Sequence, residues 1–273
     1  MKLKNKALKI MLCICGISVA SLLSSCKINT VSKNDASIVM IKNASMSTYG
    51  TGFFIGIPGK SVDAVITSYS VVATPNGVPP KNAEVRLNSS GKNVNANVSF
   101  YDEGRNIAVL KLAESSEETK PMILSGNVDY SKNIYVRGYD GTGNIMSDFE
   151  NFNTSDIVQY SGNINDYEEL NTIKVYKYSN EFNRAAMGAP AVDKEGNVLG
   201  MCAYSVDNMN TYAQYILSSD ELIRVLDENN FKFMTSEEVK YRNIITGAVV
   251  IGGCSLCTII ASFVIFLEKR KIL

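Results

Sequence analysis

Apolar residues along this chain fall into short runs, many alternating with polar residues and each closed by turn formers. The runs are Ser37 to Ile41, Gly52 to Ile57, Ala64 to Thr67, Ala83 to Asn88, Asn93 to Tyr101, Ile107 to Leu112, Asn133 to Arg137, Ile173 to Tyr178, Pro190 to Val192 and Val198 to Tyr204. Short length, period-two alternation and β-branched or aromatic content predict strands rather than helices. Pro58-Gly59, Pro75-Asn76-Gly77, Asp140-Gly141 and Glu195-Gly196-Asn197 supply turn chemistry between them. Strands at this spacing predict an all-β domain, a sandwich or a barrel, with roughly 190 residues available for one sizeable core or two smaller ones. Helical signals come late: Ser218 with Glu221 forms a capping box ahead of Leu222, Ile223, Val225 and Leu226, and Thr235 with Glu238 forms a second.

Two longer apolar segments flank this pattern. Ile10 to Leu23 follows Lys2, Lys4, Lys6 and Lys9, is short for a membrane span, and has the shape of a signal peptide. Leu23-Ser24-Ser25-Cys26 is similar to a bacterial lipobox, in which cleavage exposes the cysteine for lipidation. The alternatives are that Cys26 is one more small residue at a signal boundary, or that the segment stays uncleaved as an anchor. Ile244 to Leu267 carries no charge and is long enough, at about 1.5 Å per residue, to cross a hydrocarbon core of roughly 30 Å. Lys269-Arg270-Lys271 after it favours a cytoplasmic tail in the plasma membrane, which places the domain outside, although Lys240 and Arg242 on the other flank weaken the asymmetry. Gly253, Cys257 and Ala261 recur at four-residue spacing, a face through which a homodimer could form, though small residues are common in any membrane helix. The expected organisation is a signal segment at 1–26, a stalk at 27–36, an ectodomain at 37–234, a juxtamembrane segment at 235–243, a membrane helix at 244–267 and a tail at 268–273.

Composition narrows the function classes. Lys+Arg and Asp+Glu balance at 27 each, so there is no bias towards polyanions and nucleic acid is not an expected partner. Setting aside the terminal charges leaves 20 basic and 26 acidic residues between the anchors. Cys13 and Cys15 lie in the signal segment and Cys254 and Cys257 in the membrane run. Only Cys202 follows Cys26 in the domain, so no disulfide framework is expected. Cys254-x-x-Cys257 has a packing role in lipid rather than a redox or metal role. The chain has no histidine and no Gly-rich phosphate loop, and neither metal nor cofactor is expected. The lipobox and the richness in Lys, Asn and Ile fit a bacterial source with a single membrane.

Five segments, in order, carry a family resemblance. Gly50-Thr51-Gly52-Phe53-Phe54-Ile55 followed by Ala64 to Val72 resembles the opening of HtrA/DegP-like trypsin-type serine proteases, in which a Leu-Thr-x-x-His-Val-Val segment carries the catalytic base. Asn106-Ile107-Ala108-Val109-Leu110-Lys111 is similar to the family's Asp-Ile-Ala-Val-Leu-Lys strand, whose aspartate orients that base. Asn183-Arg184-Ala185-Ala186-Met187-Gly188-Ala189-Pro190 resembles the nucleophile loop Asn-x-Gly-Asn-Ser-Gly-Gly-Pro. Tyr135 to Tyr139 and Tyr212 to Ile216 resemble two further strands. The resemblance covers about Tyr49 to Leu226 and implies a double β-barrel with a cleft between the barrels. The family's frequent PDZ domain has no room between Leu226 and Ile244.

The resemblance places Ser70 at the base position, Asn106 at the orienting position and Met187 at the nucleophile position. Acyl transfer by a triad needs a nucleophile with a removable proton and a base of near-neutral pKa. Met187 has no proton to lose and Ser70 is no base. Loss of either group alone costs about a million-fold in kcat in a well-studied case. Ala185 stands where a glycine amide would help form the oxyanion hole. The expectation is a catalytically degenerate pseudoprotease whose cleft binds a protein or peptide, with Met187, Gly188, Ala189, Cys202 and Tyr204 as cleft residues. Two alternatives are carried forward: a structural or signalling membrane subunit acting through its membrane helix, and an unconventional peptidase using Ser68, Ser70 or Cys202.

Overall fold

Six strands of the first half close on themselves: β1 (Ile38–Asn43), β2 (Thr48–Ile55), β3 (Val62–Thr67), β4 (Asn82–Leu87), β5 (Asn93–Asp102) and β6 (Ile107–Ser116) form an antiparallel barrel in the order β1-β2-β3-β6-β5-β4. The computed structural model describes residues 35–247 apart from 44, 46–47, 76–77, 79, 89, 117–118, 127, 130, 132, 141–155, 171–172 and 209–210. Burial explains the two kinds of strand in this barrel. On β4 and β5, buried residues alternate with exposed or half-buried ones, because one face meets solvent. On β1, β2, β3 and β6, both faces are covered. Val39, Ile41, Phe54, Val65 and Leu110 join one core cluster, while their neighbours Ile38, Met40, Phe53, Ile66 and Val109 join another with Met122, Leu124, Val192 and Leu222. Burying each such aliphatic side chain contributes about 1.5–3 kcal/mol.

The second half forms a seven-stranded sheet from β7 (Ile134–Tyr139), β8 (Ile157–Gly162), β9 (Ile164–Leu170), β10 (Ile173–Tyr178), β11 (Pro190–Val192), β12 (Val198–Asn208) and β13 (Thr211–Ser218), in the order β8-β7-β11-β12-β13-β10-β9. Its two edges, β8 and β9, are joined through the single residue Asn163, so the chain itself rounds the corner of a second barrel. The corner is held by hydrogen bonds: Asn163 N donates to Ser179 Oγ at 2.9 Å, Ser179 N donates to Asn163 O at 2.9 Å, and the Tyr178 hydroxyl lies 2.7 Å from Tyr160 O. The ten runs read as strands from the sequence are strands here, with ends shifted by a few residues. β8 and β9 are additions to that reading. Gly162 and Asn163 mark the bend between them, but the acidic Asp166, Glu168 and Glu169 dilute the apolar alternation of β9.

Helix α1 (Tyr69–Val72) is one turn that follows β3. Helix α2 (Ser219–Glu228) begins at the expected cap, where Glu221 N donates to Ser218 Oγ at 3.2 Å, and buries Leu222, Val225 and Leu226. Arg105, in the β5–β6 turn, pairs with Asp102 and reaches Glu221 of α2 at 3.7 Å, and the Phe100 and Phe231 rings meet edge to face at 6.2 Å. Residues after α2 run beside Leu124, whose amide donates to Met234 O and whose carbonyl accepts from Ser236 N.

The chain divides into two compact units, and residues 29–237 hold all of the strands above. Of the other unit, residues 238–247 are described; they are helical, with Tyr241, Ile244 and Ile245 exposed. The signal segment, Cys26 and nearly all of the apolar run at 244–267 lie outside the described residues. Among the described residues, no helix is long and apolar enough to cross a membrane.

Candidate functional site

Strand β2 is the seam to which the two barrels are fastened. Thr51 is wholly buried and makes four hydrogen bonds: its amide donates to Met187 O at 2.9 Å, its hydroxyl donates to Ala185 O at 2.8 Å and accepts from Tyr139 N at 3.2 Å, and its carbonyl accepts from Thr67 Oγ1 at 2.7 Å. One residue thus ties β3, β7 and the 184–188 loop to β2, its side chain reaching Ala185 and Tyr139 and its main chain reaching Met187 and Thr67. Thr51→Val keeps the volume but leaves Ala185 O and Tyr139 N without this partner. We expect a loss of about 1–3 kcal/mol, read as a lower urea midpoint at unchanged m-value.

The loop that ends in Met187 and Gly188 folds as a 3-10 turn over Arg184–Ala186. Its amides are turned inward: Ala185 N donates to Asn183 Oδ1 at 3.1 Å and Ala186 N donates to Asn183 O at 2.8 Å. Asn183 is itself fixed, since its Nδ2 donates to Asp140 Oδ1 at 3.1 Å. Gly188 follows at φ 83°, and its amide donates to Cys202 O at 2.7 Å. A Cβ there would collide with Thr51 O and Thr67 Oγ1 and lie 2.9 Å from Ser68 N, so the loop abuts the end of β3.

On the other side of this seam, Asn106 holds α1. It is buried, sits at φ 54°, a left-handed conformation that asparagine tolerates better than most residues, and accepts Ser70 N at Oδ1 (2.8 Å) and Tyr69 N at its carbonyl (3.1 Å). The side-chain oxygen of Asn106 is therefore occupied in capping the first turn of α1. Ser68 Oγ and Ser70 Oγ lie 2.8 Å apart, Ser68 fully buried and Ser70 exposed. The structure thus brings Ser70 and Asn106 into direct contact and sets the backbone of Met187 and Gly188 against the adjoining Thr51 and Ser68.

The cleft residues named from the sequence need correction. Ala189 and Cys202 are 0% exposed and Met187 is 8% exposed; all three belong to a hydrophobic core cluster, and Gly188 is buried as well. They pack the junction rather than line an open surface, because the 187–189 backbone is pulled onto β2 and β12 by the bonds just described. Tyr204 lies on β12, beyond the bulge at Cys202. Burial pushes the Cys202 thiol pKa well above its usual value, so this sulfur is an apolar packing group and not a thiolate nucleophile. The stacked pair Tyr69 and Tyr101, with ring centroids 5.4 Å apart beside Ser70, is a feature the sequence reading did not single out. Its members are distant in sequence and meet because β3 and β5 both pair with β6, where Ala108 faces Thr67 on one side and Tyr101 on the other. Among the described residues, no group of His, Cys, Asp and Glu could hold a metal.

Two barrels joined at such a seam, with a helical turn after β3 and a tight loop before β11, define a trypsin-like double-barrel protein. The chain belongs to the trypsin-like peptidase domain family, whose model matches residues 50–201, more than half of its length. Similar solved structures include the Rv3671c protease from M. tuberculosis in its active form, with TM-score 0.57, 21% identity, and coverage of 76% of this chain and 86% of that one. The serine endoprotease from Yersinia pestis is similar at TM-score 0.56 and 14% identity, covering 74% of this chain and 66% of that one. Deg5 is similar at TM-score 0.53 and 16% identity, covering 77% and 92%, in keeping with the HtrA/Deg-type resemblance of the motifs. At these identities the likeness concerns the fold. A search of curated proteins finds no match.

Proposed function

We propose that this chain is a membrane-anchored, extracytoplasmic pseudoprotease that binds a protein or peptide without cutting it. The observation that carries this reading is the absence of any histidine from a chain of the trypsin-like peptidase family. Ser70, Asn106 and Met187 stand at the triad positions in the motif match, and none supplies a general base or an activated nucleophile. Two contacts support the same reading: Asn106 Oδ1 is committed to the Ser70 amide, and the Ala185 amide is committed to Asn183 Oδ1 instead of to a developing oxyanion.

Binding would use main-chain edges. β11 pairs only with Val198–Met201 of β12, while β13 pairs β12 along its whole length to Asn208. Among the described strands, the Tyr204–Asn208 stretch therefore has a partner on one side only, and an extended peptide can add to the other by backbone hydrogen bonds. The test is site-specific photo-crosslinking in the native membrane, with the crosslinker placed at Ser205 or, as control, at exposed Lys194 in the β11–β12 turn. A discrete, uncleaved adduct from position 205 and none from 194 is the expected result. Identical adducts from both positions, or none from 205, would move the function away from this edge and towards the membrane helix.

A further inference from the structure

Where α1 meets the β5–β6 turn, the first barrel carries a stacked aromatic pair. Tyr101 is one of five exposed large hydrophobic residues among the described residues, at 39% exposure, and its ring lies 22° from parallel with that of Tyr69. Tyr69 is the residue before Ser70, and its amide donates to Asn106 O at 3.1 Å, so the pair stands at the junction of α1 with the β5–β6 turn. That turn fixes Glu103 next to it: Asn106 N donates to Glu103 O at 3.2 Å, and the Glu103 side chain is exposed. Burial first, and the Glu103 charge second, raise the Tyr69 hydroxyl above the usual phenol pKa, which puts that charge within electrostatic reach of the ring. The neighbouring acid Asp102 is already neutralised by Arg105, whereas no ion pair to Glu103 occurs among the described residues. A pair of aromatic faces with an unneutralised carboxylate at the rim is complementary to a cation carried on an alkyl stem. The excess of acidic over basic residues between the anchors favours a positively charged ligand.

We infer that Tyr69, Tyr101 and Glu103 form a selectivity subsite for a lysine or arginine side chain of the bound peptide. This rests on the peptide-binding reading above and adds to it the chemical class of one ligand residue. An exposed cation–aromatic contact together with one screened charge pair corresponds to about a tenfold preference over an uncharged side chain.

The test pans the full-length chain in detergent micelles against a random dodecapeptide display library, in parallel with Tyr101→Ala and Glu103→Gln. Both positions are surface-exposed, and Glu103→Gln changes charge at nearly constant shape, so a folding defect in Tyr101→Ala would not remove the test. Peptides enriched in Lys or Arg at one position on the unaltered chain, with that enrichment reduced about threefold on either variant, support the subsite. A basic position that survives in both variants, or enrichment of peptides with no basic position, overturns the subsite and leaves peptide binding intact. No enrichment of any peptide overturns both.

Discussion

Gly188→Ala is expected to melt at least about 10 °C below the unaltered chain and to partition largely into the insoluble fraction. The new Cβ would run into Thr51 O and Thr67 Oγ1, and the first of these is backbone that cannot swing away. Gly188 also sits at φ 83°, where a residue with a Cβ is strained. Left-handed strain of about 1–2 kcal/mol adds to the steric conflict. The loop can escape only by releasing the Thr51 N to Met187 O and Gly188 N to Cys202 O bonds. A combined loss above about 4 kcal/mol is a large share of the roughly 5–15 kcal/mol that holds a domain together. A melting temperature within a few degrees of the parent would show that the barrel seam is far softer than its hydrogen bonds imply.

Placing His, Asp and Ser at the three motif positions is not expected to make an efficient enzyme. In the triple variant Ser70→His, Asn106→Asp, Met187→Ser, the three side chains demanded by acyl transfer return to their motif positions. The Ala185 amide still donates to Asn183 Oδ1, and Asn183 is held by Asp140. Loss of one oxyanion donor costs about 10²–10³ in kcat. A fourth change, Ala185→Gly, gives the turn the freedom to rotate its peptide outward. The expected result is hydrolysis of a p-nitrophenyl ester by the quadruple variant about 10²-fold faster than by the triple variant, provided both melt cooperatively. Equal rates would mean that the 184–186 turn is no obstacle to acyl transfer.

The parts of this account that the sequence revealed are those where local chemistry and burial agree. Strands covered on both faces, such as β1 and β6, read as nearly unbroken apolar runs, and β4 and β5 read as alternation because one face is wet. Ser218 announced α2 because a cap is a contact over three residues. β8 and β9 were hidden, since acidic residues dilute the alternation of β9 and the bend at Gly162-Asn163 is held by Tyr178 and Ser179 at the end of β10, farther along the chain. At the site, the motifs located Ser70, Asn106 and Ala185 where the structure joins them to its seam. They misjudged Ala189 and Cys202, which a motif marks as lying near the cleft without revealing which way the backbone turns them. The lock at Asn106 was invisible, because its oxygen meets an amide 36 residues away, whereas Asn183 bonds an amide only two residues on and only its anchor on Asp140 is long-range.

The central claim is that the domain holds without cutting, and the most direct measurement incubates the purified full-length chain with a fluorophosphonate probe and, separately, with fluorescein-labelled casein. The account predicts no covalent label and no cleavage above buffer. Labelling or cleavage that disappears in Ser68→Ala, Ser70→Ala or Cys202→Ala would contradict it and return the chain to the working peptidases.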